Sequence, residues 1–191
     1  MGKRSILKEW KIDESGLTKI IDENPSLRGM LLGYVAEFKF EELWLKRPNI
    51  TDISKADDHD RAKKGDRTAS YKGRQIVFEV KSLQTNTIKK KDNLWIARAQ
   101  VDASDSRTVT LPDGEKITTT CLLINEFDIL AVNTYAFEKK WNFVFARNVD
   151  LPRTTFRKYD ESVRNYLLAT TVEVTWPPRH PFYDDLFKLL D

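Results

Sequence analysis

Cysteine and histidine are almost missing from this chain, which has one Cys and two His in 191 residues. Zinc fingers and ribbons need four nitrogen or sulfur ligands, so structural zinc of that kind is excluded. One cysteine cannot close a disulfide within the chain, which agrees with a reducing cytoplasm. Cys121 sits in the apolar run Cys121-Leu122-Leu123-Ile124 and is expected in the core. No apolar run approaches the roughly 18 residues of a membrane span. The basic start, Met1-Gly2-Lys3-Arg4-Ser5, is not followed by an apolar signal core, so secretion is not expected either. No glycine-rich P-loop occurs, which argues against ATP-driven chemistry by this chain. Any metal must therefore be held by oxygen ligands, which points to Mg²⁺, with Mn²⁺ as a substitute.

Apolar residues make up 40% of the chain and aromatics 11%, enough for one globular domain with a substantial core. The expected layout is a single domain over 1–191, with its core at about 26–146 and a helix-and-strand extension at about 147–191. Net charge is only +3, too small for a polybasic coat. Its distribution says more: between Lys55 and Arg107, Lys and Arg outnumber Asp and Glu by five. A modest basic region around a few acids suits a phosphate-bearing partner, although a solvated surface would show the same excess.

An amphipathic helix is expected over about 13–23, with Leu17, Ile20 and Ile21 on one face. A longer one follows over about 26–46, where Leu27, Met30, Leu31, Tyr34, Val35, Phe38 and Leu45 recur at helical spacing. Glu37 lies at the edge of that stripe and Glu41 one turn further on. Strands are expected at Asn49–Ile53, in a hairpin over 66–81, at Thr118–Ile124, Phe127–Val132, Trp141–Ala146 and Thr171–Trp176. Residues 94–107 give no clear period. A helix is expected near 160–169, with Asp160 as N-cap. This order suits an α/β fold, a central mixed β-sheet flanked by helices.

The most telling stretch is Gly65-Asp66 through Glu79-Val80-Lys81. Its two strands turn over at Lys72-Gly73. Period-two alternation puts Glu79 and Lys81 on one face of their strand and Phe78 and Val80 on the other. An acid and a base on an otherwise apolar strand are costly to bury unless they are paired or bind a metal. A same-face ion pair on a half-exposed strand is the plain alternative.

Asp66 followed by Glu79-x-Lys81, after a helix carrying Gly33-Tyr34-Val35-Ala36-Glu37, resembles the PD-(D/E)xK nuclease superfamily, which includes many type II restriction endonucleases. The resemblance covers roughly 26–133 and takes in the apolar strand Phe127-Asp128-Ile129-Leu130-Ala131-Val132. It implies a restriction endonuclease-like core and a Mg²⁺-dependent endodeoxyribonuclease. Asp66, Glu79 and the Val80 carbonyl would hold the cation. Lys81 would orient or help deprotonate the attacking water and stabilise charge at phosphorus, and Glu37 would join as a ligand or through a water. A homodimer acting on double-stranded DNA is implied as well. Gly65 stands where the family often has proline, and the upstream acids Asp57, Asp58 and Asp60 compete for the role given to Asp66.

Lys89, Lys90, Lys91 and Arg98 are candidates for neutralising phosphates. Gln84, Asn86, Arg98 and Gln100 carry side chains able to read base edges. The two histidines, His59 and His180, are not placed to build an HNH-type site. Two rival readings remain: a structure-specific repair, resolvase or nicking nuclease, and a non-catalytic nucleic-acid-binding module.

Overall fold

The computed structural model describes residues 4–55 and 65–191. The chain divides into two compact units, 1–35 and 36–191. The first holds α1 (Ile6–Trp10), α2 (Glu14–Glu23) and most of α3 (Pro25–Phe40), whose end from Ala36 belongs to the second. Asp13 caps α2, its Oδ1 accepting from the Gly16 N–H at 2.7 Å, which satisfies one of the amides a helix start leaves unpaired.

The second unit begins with the end of α3 and a π-helical turn, Glu41–Leu45. Five strands follow: β1 (Ile50–Lys55), β2 (Arg67–Tyr71), β3 (Arg74–Ser82), β4 (Lys89–Lys91) and β5 (Leu94–Gln100). After β6 (Asp102–Thr110), β7 (Lys116–Cys121) and β8 (Ile129–Asn133) come a short α4 (Tyr135–Glu138) and β9 (Phe143–Arg147). The chain closes with α5 (Glu161–Arg164), β10 (Thr171–Trp176) and α6 (Phe187–Leu190).

The central sheet has five strands in the order β1-β2-β3-β8-β9. It is mixed: β3 and β8 run parallel, and the other neighbours are antiparallel. This is the α/β architecture expected, a mixed sheet with flanking helices. All five residues of β8 are buried, as suits a strand covered on both faces, and this is why it reads as an unbroken apolar run. Ile129 and Ala131 join one core with Phe78, Val80, Phe143 and Phe145; Leu130 and Val132 join the other with Val144 and Ala146.

Helices fill the first face. Ala36 and Phe40 of α3, Leu45, and Leu189 and Leu190 of α6 pack there, with the Phe40 and Phe78 rings 5.2 Å apart, edge to face. The second face is covered chiefly by another sheet, β10-β5-β4, through Ala97, Ala99, Val172 and Val174. Residues 94–107 gave no period because they span two strands serving different sheets. β6 and β7 form a separate ribbon over a small core of Leu111, Cys121, Val163 and Leu167.

Three expectations need correction. The α3 stripe does not pack on the core: Leu27, Met30, Leu31, Tyr34 and Phe38 are all exposed, and only Ala36 and Phe40 of this helix are buried. The strands expected at 118–124 and 127–132 have other bounds: β7 ends at Cys121 and pairs with β6, while β8 begins at Ile129 and joins the central sheet. The helix near 160–169 is a single turn, because Leu167 and Leu168 make strand-like bridges to Leu123 and Arg153. Among the described residues no helix is long and apolar enough to cross a membrane.

Candidate active site

The β2–β3 hairpin turns at Lys72 and Gly73, both with positive φ (48° and 78°), as a two-residue primed turn demands. Its register pairs Arg67 with Phe78, so the next step along the ladder sets Asp66 beside Glu79. The Asp66 N–H donates to the Phe78 carbonyl at 2.8 Å, and Asp66 Oδ2 accepts from the Val80 N–H at 2.7 Å. Asp66 thus caps the point where β2 ends and β3 continues. The N–H and C=O of one strand residue leave on the same side, so the Val80 carbonyl faces this gap as well.

Gly65 stands where the resemblance would often put a proline. Its φ is +75°, and a Cβ there would stand 2.4 Å from Val77 Cγ1 and 2.9 Å from the Phe78 carbonyl oxygen. Proline, locked near about −65°, cannot adopt that backbone. Here a glycine delivers the aspartate to the strand.

Glu79 and Lys81 share the face of β3 that Val77 and Leu83 direct toward the second core. Lys81 Nζ lies 2.5 Å from Glu79 Oε1, and Glu79 is only 8% exposed. Burial pushes the Glu79 carboxyl up to about 7; Lys81 opposes the shift, while Asp66 and Glu126 add to it. Burial works against the Lys81 charge too, but Glu79 and Asp66 outweigh it and push the lysine up to about 12, with a smaller push from Asp102. The two shifts differ in meaning because the partners are unequal. Lys81 faces several carboxylates, whereas Glu79 faces one lysine and other acids. This spot carries an excess of buried negative charge.

Hard oxygen donors in such a spot suit a divalent cation. Asp66 is held at the strand gap by the Val80 N–H, with Glu79 next to it in register, and a cation shared by these carboxylates would relieve the burden on Glu79. Among the described residues no group of three or more acids, histidines or cysteines stands together as a metal cage. Two carboxylates with main chain are what this gap could offer a cation, and such a set would leave positions for water and substrate oxygens. The acids Asp57, Asp58 and Asp60, together with His59, lie outside the described residues.

Glu37 makes its contacts on the opposite face. Its Oε2 lies 3.0 Å from Arg67 Nη1 and 3.7 Å from Lys55 Nζ, and Glu41 Oε2 lies 3.5 Å from Arg67 Nε. Both helix acids therefore converge on Arg67, which is buried beside Asp66 in sequence. Sequence reasoning passed over Arg67. Its signal was there: it is the one charged residue in a strand whose alternate side chains, Ala69 and Tyr71, are core.

A second omission is Arg107 with Glu126. The guanidinium makes a two-pronged pair with the carboxylate, and Glu126 Oε2 also accepts from the Leu123 N–H at 2.7 Å. Glu126 is 8% exposed and acts on Glu79 across the fold. Nothing in the local pattern joins residues 19 apart on different elements.

The basic candidates fall on the β10-β5-β4 sheet. Ala97 and Ala99 face the core, so Ile96, Arg98 and Gln100 face outward. Lys89 and Lys91 pair with Ile96 and Leu94 and share that outward side. Lys90 pairs with Trp95 instead, an exposed lysine whose Nζ lies 4.6 Å from the ring centre. Gln84 Nε2 donates to Gln100 Oε1 at 3.2 Å, and Glu173 stands opposite Arg98 in register. β3 leads straight into this sheet: Leu83 bridges Ala99, and the Gln84 N–H donates to the Arg98 carbonyl. A cavity of about 650 Å³ at the sheet's end is lined by Lys91, Asn93, Leu94, Ile96, Pro178 and Arg179, among others. None of the residues lining it belongs to the Asp66–Glu79–Lys81 group.

No protein-family description matches this chain, and no curated protein matches its sequence. Among solved structures, a bacterial homing endonuclease, I-Ssp6803I, aligns at 19% identity over 72% of this chain and 87% of that one, with a TM-score of 0.40. A likeness that low carries no argument about what this chain does.

Proposed function

We propose that this chain is a Mg²⁺-dependent DNA endonuclease of the type II restriction-enzyme kind, hydrolysing phosphodiester bonds. The observation that carries the reading is the grouping of Asp66, Glu79 and Lys81 at the gap where β2 stops and β3 continues. Two carboxylates and an ammonium, largely withdrawn from water, are a poor choice for stability and a good one for phosphoryl chemistry.

Asp66 and Glu79, with the Val80 carbonyl, would hold the cation, with Mn²⁺ as a substitute. The bound ion supplies Lewis acidity and an activated water. Lys81 stays protonated beside Glu79 and Asp66, so its part is to offer positive charge to the scissile phosphate. That narrows its role to charge stabilisation and orientation, and away from taking the proton. Glu37 acts through Arg67, holding the start of β2 and therefore Asp66. Lys89, Lys91, Arg98 and Gln100 lie on the sheet that β3 enters after Lys81. They are the residues proposed to meet the duplex: cations on phosphates, Arg98 and Gln100 at base edges.

The test is incubation of plasmid DNA with the protein and Mg²⁺, with and without EDTA, followed by sequencing of product ends. Fragments with defined ends, lost on chelation and reduced at least about 100-fold by Lys81→Ala, are expected. Nicks or branched-DNA cleavage without defined ends would favour the structure-specific reading. Intact DNA with both Mg²⁺ and Mn²⁺ would leave a binding module.

A further inference from the structure

The outward face of the β10-β5-β4 sheet does not carry cations alone. Ala97 faces the core, so period-two alternation turns Leu94 and Ile96 outward, on the side of their register partners Lys91 and Lys89. Both aliphatic side chains are half-buried, yet neither joins a hydrophobic core of the chain. They line the cavity of about 650 Å³ instead, together with Pro177 and Pro178 from the segment just past β10. That volume falls within the roughly 300–1,000 Å³ of small-ligand sites and far exceeds what a single ion fills.

Hydrogen bonds fix the backbone around this cavity. The buried Thr175 donates its hydroxyl to the Pro177 carbonyl at 2.9 Å, and the Phe182 N–H donates to the Arg179 carbonyl at 2.9 Å. Lys91 and Leu94 are ladder partners across the Asp92-Asn93 turn. The polar lining is of three kinds. Lys91 and Arg179 are exposed cations with no ion pair among the described residues. Asn93 can donate and accept, while the Asp92 carboxylate can only accept.

We propose that this cavity takes one unpaired nucleotide of a DNA strand, its base against Leu94, Ile96 and the two prolines and its phosphate on Lys91 and Arg179. A bare anion gains nothing from the apolar lining and is repelled by Asp92. A purely apolar ligand leaves both cations idle. A nucleotide meets every part: it is anionic at one end, flat and apolar in its base, and bears donors on its edge. Bases held outside a duplex are gripped in this way, faces against apolar side chains and edges on hydrogen-bonding groups. Asp92 and Asn93 suit a base with an exocyclic amine, adenine or cytosine, better than thymine. Lys89 and Arg98 continue along the same face and offer a track for neighbouring phosphates, which favours a nucleotide within a strand over a free one. The inference rests on the reading of this face as the DNA-contacting surface, and not on cleavage at Asp66, Glu79 and Lys81.

Fluorescence anisotropy with labelled duplexes tests it on the full chain, in EDTA so that nothing is cut. A duplex with a single bulged adenine should bind at least about tenfold more tightly than the same duplex fully paired. Leu94→Trp, which fills the cavity, and Arg179→Ala should each remove most of that gain. Arg179 is exposed, so its variant keeps the test decisive if Leu94→Trp fails to fold. A bulged thymine should gain less than adenine, and Asp92→Ala should erase the difference. Equal binding of bulged and paired duplexes, or a gain that survives Arg179→Ala, overturns the proposal and leaves the DNA reading of the face intact. Failure of both duplexes to bind overturns that reading and the proposal together. Free dAMP binding as tightly as the bulged duplex would make this a pocket for free nucleotides, and preference for a polyglutamate peptide would make it a protein-docking site; either result overturns the proposal.

Discussion

Glu37 and Arg67 meet at 3.0 Å, and Arg67 is the residue next to Asp66. One buried guanidinium, shared by Glu37 and Glu41, fastens the end of α3 to the strand that opens at the candidate site. Arg67→Ala strands two partly buried carboxylates without their main counter-charge. It should cost about 3 kcal/mol in urea unfolding, within the range for breaking a buried pair. Glu37→Gln should cost less, because Glu41 still faces Arg67. Arg67→Lys should recover only part of the loss, since an ammonium cannot reach both acids as the guanidinium fork does.

Glu79 sets a pH dependence whose sign is opposite to that of an ordinary salt-bridged acid. Its folded-state pKa is about 7, raised from 4.5, so between those values the folded chain holds a proton that the unfolded chain releases. Stability of the metal-free protein should therefore fall as pH rises from 4.5 to 7, by at most about 3 kcal/mol. Lys81 contributes nothing to that window. Its shift from 10.5 to about 12 gives stability that is whole below 10.5 and lost as pH climbs to 12. Denaturant unfolding in EDTA across pH 4.5–8 checks this, with Glu79→Gln expected to flatten the slope.

The outward face of the second sheet gives a salt test. Lys89→Ala, Lys91→Ala and Arg98→Ala should each weaken duplex binding and lower the steepness of its logarithmic salt dependence by about 1. Lys90→Ala should leave the steepness nearly unchanged, because that ammonium rests on Trp95. Binding measured in Ca²⁺ at several salt concentrations separates the two behaviours. Equal slopes for all four variants would remove this sheet from the DNA interface.

What could be read from the chain beforehand followed from local rules. The alternation in Gln75–Lys81, the Lys72-Gly73 turn and the apolar run of β8 are each decided within a few residues, and the mixed sheet follows from them. The grouping of Glu79 with Lys81 was legible for the same reason. The burial of α3 was not, because periodicity finds an apolar stripe but not what lies against it; the packed side turned out to be that of Ala36 and Phe40. Arg67 with Glu37, and Arg107 with Glu126, join residues from separate elements, and no window of the sequence contains both partners. Gly65 sits between these cases. Its identity was visible, but the +75° φ that excludes proline is a property of the folded backbone.

The parallel pairing of β3 with β8 has a further consequence. Phe78 through Ser82 are laddered to β8, whose five residues are all buried, and Asp66 is hydrogen-bonded to the same segment. Amide hydrogens here should exchange with solvent only when the whole unit opens, not by local fraying. A binding surface built on such a strand does not mould itself to its ligand. Any adjustment on encounter must be made by what approaches it, or by parts of the chain further from the ladder.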